Sequence, residues 1–159
     1  NEQMKLCFMV SADRGSIEKV SATHHEFSFL KRNLTASVAF TDKPQRRSFD
    51  LALPALEKMW EAGESSFSEN PPNAIMKDDS SKIAITELVD LKYDEEKITF
   101  VLVQNAYKAI DNDDVLGNEL TNPTLFIDTE ITAAEVTHIL RAGALACASV
   151  DCYLWLSEE

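Results

Sequence analysis

The sequence predicts an α+β fold that is mostly antiparallel β, with about eight short strands and two packed helices. Three observations support this prediction: apolar and polar residues alternate along several short segments, turn residues separate these segments, and two further segments carry apolar residues at helical spacing. Alternation with short connections is typical of a meander, arranged as a sandwich or a partly open barrel. The 159 residues fit one domain, residues 1–159.

Four strands are predicted in the N-terminal part of the chain. Residues 5–11 are apolar and indicate a buried strand, and the turn that follows uses the conformational freedom of Gly15. A second short strand is predicted at residues 16–21. Period-two alternation then predicts strands at residues 25–30 and 35–40.

The first helix is predicted from Leu53 to Gly63. Pro54 suits the first helical turn, and Gly63 suits the end of the helix. One stripe of this helix is apolar and would pack on the sheet; it consists of Leu53, Leu56, Met59 and Trp60. Residues 64–74 are predicted to be a loop, because two consecutive prolines prevent regular structure there.

A hairpin is the clearest element of the second half. Residues 82–93 and 97–104 alternate, and Asp94-Glu95-Glu96 forms the turn between them. We expect the apolar residues at odd positions from Ile83 to Tyr93 to share one face. Residues 111–122 form a polar loop, and residues 125–128 form a short strand.

The C-terminal part predicts a second helix and a closing strand. Thr132 to Glu135 is a capping box, and an apolar stripe follows at helical spacing; it consists of Val136, Ile139, Leu140, Gly143 and Cys147. Residues 150–156 alternate and would close the sheet.

The three cysteines leave two interpretations open. Cys147 and Cys152 are five positions apart and are candidates for a disulfide in an oxidising compartment, with Cys7 unpaired. Alternatively, all three are reduced thiols that behave as small apolar groups. No zinc site is predicted, since further ligands are lacking near the pair.

The net charge of −12 argues against two classes of partner. Binding to nucleic acid requires a basic face that neutralises phosphates, and an anionic membrane surface requires the same. No apolar run approaches the roughly 18 residues of a membrane-spanning helix. The acidic surface indicates solubility or a cationic partner.

No motif predicts a catalytic residue, a cofactor or a metal site. His24 and His25 are neighbours in a strand and therefore point to opposite faces, so they cannot easily bind one metal. An EF-hand loop starting at Asp111 would need Gly and Glu where Leu116 and Asn122 stand. Nucleophile-elbow, P-loop and dinucleotide-binding glycine patterns are missing from the sequence.

The most distinctive pattern is a pair of proline-containing loops on either side of the first helix, residues 40–47 with Pro44 and residues 66–74 with Pro71 and Pro72. Such stiff loops are where binding residues tend to lie, and they could meet at one end of the sheet. The candidate binding residues are Asp42, Lys43, Arg46, Trp60, Phe67 and Asn73.

This region resembles a family of small bacterial proteins that are usually made with a signal peptide and have no assigned activity. The matching residues are Thr41-Asp42-Lys43-Pro44, Trp60, Ser66-Phe67, Pro71-Pro72-Asn73-Ala74 and Thr99-Phe100, within residues 35–104. Lys43 stands where the family has Arg, which argues against a bidentate guanidinium role there. The resemblance implies a periplasmic or secreted domain whose signal peptide has been removed, and it implies no reaction.

Three functions follow as hypotheses. The first is a non-enzymatic periplasmic or secreted binding domain with an unidentified protein or small-ligand partner and no membrane insertion. The second is a hydrolase or metal-dependent enzyme whose site assembles from distant residues such as Asp42, His25 and Asp128. The third is a bacterial effector that acts in a host cell.

Overall fold

A computed structural model describes residues 5–41, 48–61, 71–79, 83–104 and 119–132. Several predictions concern residues outside these ranges, and they stay predictions. They are the second helix, the closing strand, the pair Cys147 and Cys152, the polar segment 111–118, and the candidate binding residues Asp42, Lys43, Arg46 and Phe67.

The described residues form a mostly antiparallel β structure with one short α-helix. The strands are β1 (Lys5–Ala12), β2 (Arg14–Lys19), β3 (His24–Leu30), β4 (Leu34–Thr41), β5 (Ser48–Asp50), β6 (Asn73–Lys77), β7 (Ile83–Tyr93), β8 (Lys97–Gln104), β9 (Glu119–Thr121) and β10 (Thr124–Thr132). The helix is α1 (Leu53–Glu61), and a 3-10 turn (Lys31–Asn33) joins β3 to β4.

All seven predicted strands that fall in the described residues are confirmed, and three further strands were not predicted. Two of these, β5 and β9, have three residues each, which is too short for an alternation pattern to show. The third, β6, begins at Asn73 inside the predicted proline loop. The predictions of a loop at residues 73–74 and at residues 119–121 were therefore wrong.

All ten described strands belong to one sheet, in the order β5-β4-β1-β10-β6-β7-β8-β3-β2-β9. Every neighbouring pair is antiparallel. The predicted hairpin is confirmed as β7 and β8. The other pairings mostly join strands that are distant in sequence, so the order could not be read from a simple meander.

The sheet is strongly curled, and its connections show why. Only Asp13 separates β1 from β2, yet five other strands lie between them in the sheet order. In a flat sheet they would be about 29 Å apart, whereas a one-residue link spans about 7 Å. The sheet must therefore bend until its β2–β9 end returns to the β1–β10 pair.

This bend occurs within one continuous two-stranded ribbon. Ser11 pairs with Thr124 in β1–β10, and Arg14 pairs with Thr121 in β2–β9, so the same register runs through the bend. The Asn122 N–H donates to the Asp13 carbonyl over 3.0 Å and holds the corner. Asn122 takes the positive φ of 50° that the corner requires, a conformation that Asn tolerates better than most residues.

The curled sheet encloses one apolar interior. Inward-facing residues alternate with outward-facing ones along β1, β3 and β4. The predicted inward face is confirmed in β3, where His25, Phe27 and Phe29 are buried. It is wrong in β4, where the alternation of Ala36, Val38 and Phe40 predicts an inward face but Ser37 and Ala39 are the buried residues. Three phenylalanine rings pack at its centre, with centroids 5.7 to 6.3 Å apart. The largest fully buried side chains are Phe8, Phe27, Phe100, Leu56, Met76, Leu88, Ile98, Leu102 and Leu125.

The prediction that the apolar residues of β7 share one face is wrong, because Ile85 faces outward and Leu91 faces inward. The register shifts between Leu88 and Asp90, which is a β-bulge. The extra residue reverses the alternation, so Leu88 and Leu91 are both buried although they are three positions apart. Tyr93, which was expected to share the apolar face, is exposed.

Gly15 is needed for close packing and not for a turn. It lies within β2, where a Cβ atom would come within 2.9 Å of the Ser28 carbonyl oxygen and 3.0 Å of the Phe27 ring. The expected turn at residues 13–15 is instead the bend at Asp13. Gly15 thus lets β2 approach β3 directly after the chain has changed direction.

The helix α1 begins at Leu53 as predicted and packs its apolar stripe into the interior. Leu53, Leu56 and Trp60 are buried there. The same face carries Glu57, whose side chain is almost completely buried. Lys31 lies 3.0 Å from Glu57 Oε2, as an ion pair and not as an aligned hydrogen bond. This pair ties the helix to the 3-10 turn after β3.

Gly15→Ala is expected to lower the free energy of unfolding by about 1–3 kcal/mol, because backbone of β3 must move to admit the methyl group. Urea denaturation measures this change. Arg14→Ala, at the exposed neighbouring position, serves as the control and should stay within about 0.5 kcal/mol of wild type. Equal stability of wild type and Gly15→Ala would contradict the close approach of β2 to β3.

Lys31→Met is expected to cost about 3 kcal/mol, because it leaves the Glu57 carboxylate buried without its cation. The double variant Lys31→Met/Glu57→Met should recover most of this loss, since neither charge is then buried. Chemical denaturation of the four proteins in this cycle gives the coupling energy. Additive losses in the double variant would show that the ion pair does not hold α1 in place.

Asp94 at the β7–β8 turn provides a test of pH dependence. Its carboxylate accepts hydrogen bonds from the backbone N–H groups of Glu96 and Lys97, both 2.8 Å away, and these bonds lower the pKa of Asp94 below 3.8. The stabilisation is therefore present above pH 3.8 and is lost as the pH falls through the lowered value. The difference in Tm between wild type and Asp94→Ala should narrow from pH 7 to about pH 2.5. A difference in Tm that stays constant over this range would show that the ionised Asp94 carboxylate does not stabilise the turn.

Candidate functional site

The outer surface of the sheet carries an apolar row across five neighbouring strands. The strand registers align Val38, Met9, Phe126, Ile75 and Ile85 side by side, from β4 through β1, β10 and β6 to β7. All five alternate with inward-facing residues, so they lie on the face away from the interior. Ile75, the fourth of the five, is 41% exposed. We call this set the apolar row.

A second row lies two residues along each strand and is more polar. The registers align Phe40, Cys7, Asp128, Asn73 and Glu87. The Cys7 thiol donates to Asp128 Oδ1 over 3.7 Å. We call this set the carboxylate row, because Asp128 and Glu87 supply two acidic groups beside the apolar row.

Between the two rows lies a cavity of about 280 Å³, which we call the outer groove. It is lined by Cys7, Phe40, Asn73, Ile75, Ile85, Phe126, Ile127 and Asp128. Ligand pockets in proteins usually have volumes of about 300–1,000 Å³, lined by apolar groups with a few polar ones. The outer groove is slightly smaller than this range and has this composition.

Of the six candidate binding residues, the structure describes two and places them differently. Asn73 is exposed, begins β6 and lines the outer groove. Trp60 is 8% exposed and packs in the interior. The structure therefore does not bring Trp60 and Asn73 onto one exposed surface.

The strand ends that adjoin the two proline-containing loops lie at the same end of the outer groove. Phe40 stands in the carboxylate row directly before the end of β4, and Asn73 stands in the same row at the start of β6. Three strand spacings separate these two positions, a distance of about 14 Å. Residues 42–47 and 66–70 of these loops lie outside the described residues, so the meeting of the two loops stays a prediction.

Two of the three residues proposed for a hydrolase are separated by the sheet. His25 is buried and shares the inward face of β3 with Phe27. Asp128 is exposed on the outward face of β10. A catalytic pair needs its side chains within hydrogen-bonding reach, so His25 and Asp128 cannot act together. His24 is less buried than His25, which agrees with the predicted divergence of the two rings.

The described residues offer neither a cluster of metal ligands nor a membrane-spanning helix. These residues contain no group of three or more His, Cys, Asp or Glu side chains that could hold a metal ion. No helix among them is long and apolar enough to cross a membrane.

Comparisons of the chain with protein-family models, with curated proteins and with solved structures gave no significant match. The resemblance to the bacterial family therefore stays a prediction that rests on the residues of the two proline-containing loops and the hairpin.

Sequence reasoning missed the outer groove, although the sequence contains a sign of it. Several segments are apolar at consecutive positions, not only at alternate ones, and residues 6–10, 74–76 and 125–127 are among them. Consecutive apolar residues in a strand indicate two apolar faces. These segments belong to β1, β6 and β10, which are adjacent in the sheet, and that adjacency is visible only in the structure.

Proposed function

We propose that this protein is a non-enzymatic periplasmic or secreted binding domain whose contact surface is the outer groove. The observation that carries the proposal is the apolar row on the side of the sheet opposite the interior. Apolar rows in this position are not needed to form the core, and on folded proteins they mark interaction sites. A protein segment or a small ligand with an apolar part would bind there.

The two proline-containing loops fit this proposal as the rim of the site. Asn73 already lines the groove, and Asp42, Lys43 and Arg46 follow β4 closely in sequence, after Phe40 of the groove. In this arrangement the groove supplies apolar contact area, and the loops supply hydrogen bonds and charge. Trp60 contributes indirectly, because it fixes α1 against the interior.

The proposal also includes the compartment of the protein, the barrel arrangement of the sheet and the second helix. The resemblance supports export, and a disulfide between Cys147 and Cys152 would form in that compartment. The continuous ribbon through Asp13 supports a partly open barrel, and the second helix predicted from Thr132 would be its other packed helix. The domain would then comprise residues 1–159.

Ile75→Asp is expected to weaken the binding of a neutral apolar dye, N-phenyl-1-naphthylamine, at least about tenfold, because a carboxylate in the groove must lose its hydration when the dye binds. Dye fluorescence measures the affinity. Ile75 is exposed, so the variant should fold, and circular dichroism checks this.

Val20→Asp is the matched control for this experiment. Val20 is 50% exposed but lies in the β2–β3 connection, away from the groove. Its replacement introduces the same charge and should leave dye binding unchanged. If both variants bind the dye as tightly as wild type does, the groove is not the binding surface.

A further inference from the structure

The outer groove is apolar along one side and acidic along the other. The apolar row contributes Ile75, Ile85 and Phe126 to its lining. The carboxylate row contributes Asp128, which is the one charged side chain that the described residues place in the lining. Asn73 adds a neutral polar group beside it. The groove therefore offers a ligand one apolar wall and one negative charge.

The basic residues of β1, β6 and β10 stand outside both rows. Lys5 lies two positions before Cys7 in β1, beyond the carboxylate row. Lys77 lies four positions after Asn73 in β6, beyond the apolar row and about 14 Å along the strand. The registers of these three strands thus place no basic residue in the row of Asp128. A positive charge carried by a ligand would complement that row.

The carboxylate of Asp128 can accept further hydrogen bonds. The Cys7 thiol donates to one of its oxygens, Oδ1, over 3.7 Å, whereas an ionised carboxylate has about four acceptor sites. Asp128 is also exposed, so a ligand can reach it from solvent. An ammonium group has three N–H donors, and its hydrogen bonds to a carboxylate are roughly twice as strong as those between neutral groups. Asp128 therefore favours an ammonium head group over a neutral one.

The volume of the outer groove limits the size of the ligand. Its volume of about 280 Å³ is slightly below that of the pockets that hold drug-sized molecules. A single alkyl chain or one aromatic ring is small enough to lie on the apolar wall while its head group reaches Asp128. The ligand that fits is therefore a small molecule with one apolar part and one polar end.

We propose that the outer groove binds small organic amines, with the ammonium group paired to Asp128 and the apolar part on the apolar row. The inference rests on the proposed function, because it names the ligand class of the same groove. Glu87, two strands from Asp128 in the carboxylate row, adds to the negative potential at the head-group end. A ligand with a carboxylate head group would be repelled there. The net charge of −12 also attracts any cation from a distance, so the experiment must separate this general attraction from Asp128.

Three ligands with the same alkyl chain separate the contribution of the head group from that of the chain. At pH 7 octylamine is positively charged, 1-octanol is neutral and octanoate is negatively charged. Isothermal titration calorimetry on the full chain, below the micelle concentration of each ligand, measures the three affinities. Wild type should bind octylamine about fivefold more tightly than 1-octanol and at least about tenfold more tightly than octanoate.

Asp128→Asn keeps the size of the side chain and removes its charge. It should weaken the binding of octylamine about fivefold, strengthen that of octanoate, and leave that of 1-octanol within about twofold of wild type. Glu18→Gln is the matched control, because it removes one negative charge from the outward side of the sheet in β2, away from the groove. It should change none of the three affinities by more than about twofold. A merely structural role of Asp128 would instead lower all three affinities together in Asp128→Asn.

The outcomes separate this inference from the proposed function. If the three ligands bind wild type equally while Ile75→Asp still weakens dye binding, the groove binds apolar ligands without selecting a head group, and the inference is wrong. If Asp128→Asn and Glu18→Gln weaken octylamine binding equally, the overall charge selects the amine, which also overturns the role of Asp128. If neither octylamine nor the dye binds wild type, the proposed function is wrong as well.

Discussion

The corner at Asp13 is the constraint on which the rest of the structure depends. Because β1–β2 and β9–β10 turn together as one ribbon, the sheet cannot stay flat, and one of its faces becomes an interior. Phe27, Phe29 and Phe100 meet because β3 and β8 are neighbouring strands in which Phe27 pairs with Phe100, and the curl encloses their rings in the interior. Directly after this corner, Gly15 permits the close approach of β2 to β3, because it has no side chain that would meet β3.

The same curl determines what the outer face can be. An antiparallel sheet that buries one face normally carries polar residues on the other, and β2 and β3 follow this rule with Glu18 and Glu26 outward. The five strands from β4 to β7 break the rule at the apolar row. Since the interior is already filled from the opposite face, burial in the core cannot account for these residues. They make this part of the outer face apolar, and the proposed binding surface rests on that observation.

Local sequence patterns predicted the elements that depend on residues close in sequence. They did not predict the features that depend on how distant strands pair. Alternation and turn residues predicted the β7–β8 hairpin and the start of α1, because both depend on residues close in sequence. The β-bulge after Leu88 was not predictable, since a bulge changes which residues face inward without altering the composition. The pairing of β10 with β6 depends on how distant strands meet, and no short sequence pattern specifies that.

The candidate site also combines residues that a local sequence pattern indicates with residues that only the pairing of distant strands brings together. Asn73 was found because a distinctive loop sequence surrounds it, whereas Ile75 and Phe126 were missed because each looks like an ordinary strand residue in its own segment. Only the registers of β10 with β6 and of β6 with β7 bring Phe126, Ile75 and Ile85 into one row. A row of this kind is a property of the sheet and not of any strand. The consecutive apolar residues of β1, β6 and β10 are therefore informative together, since each strand alone could be buried on both faces for reasons of packing.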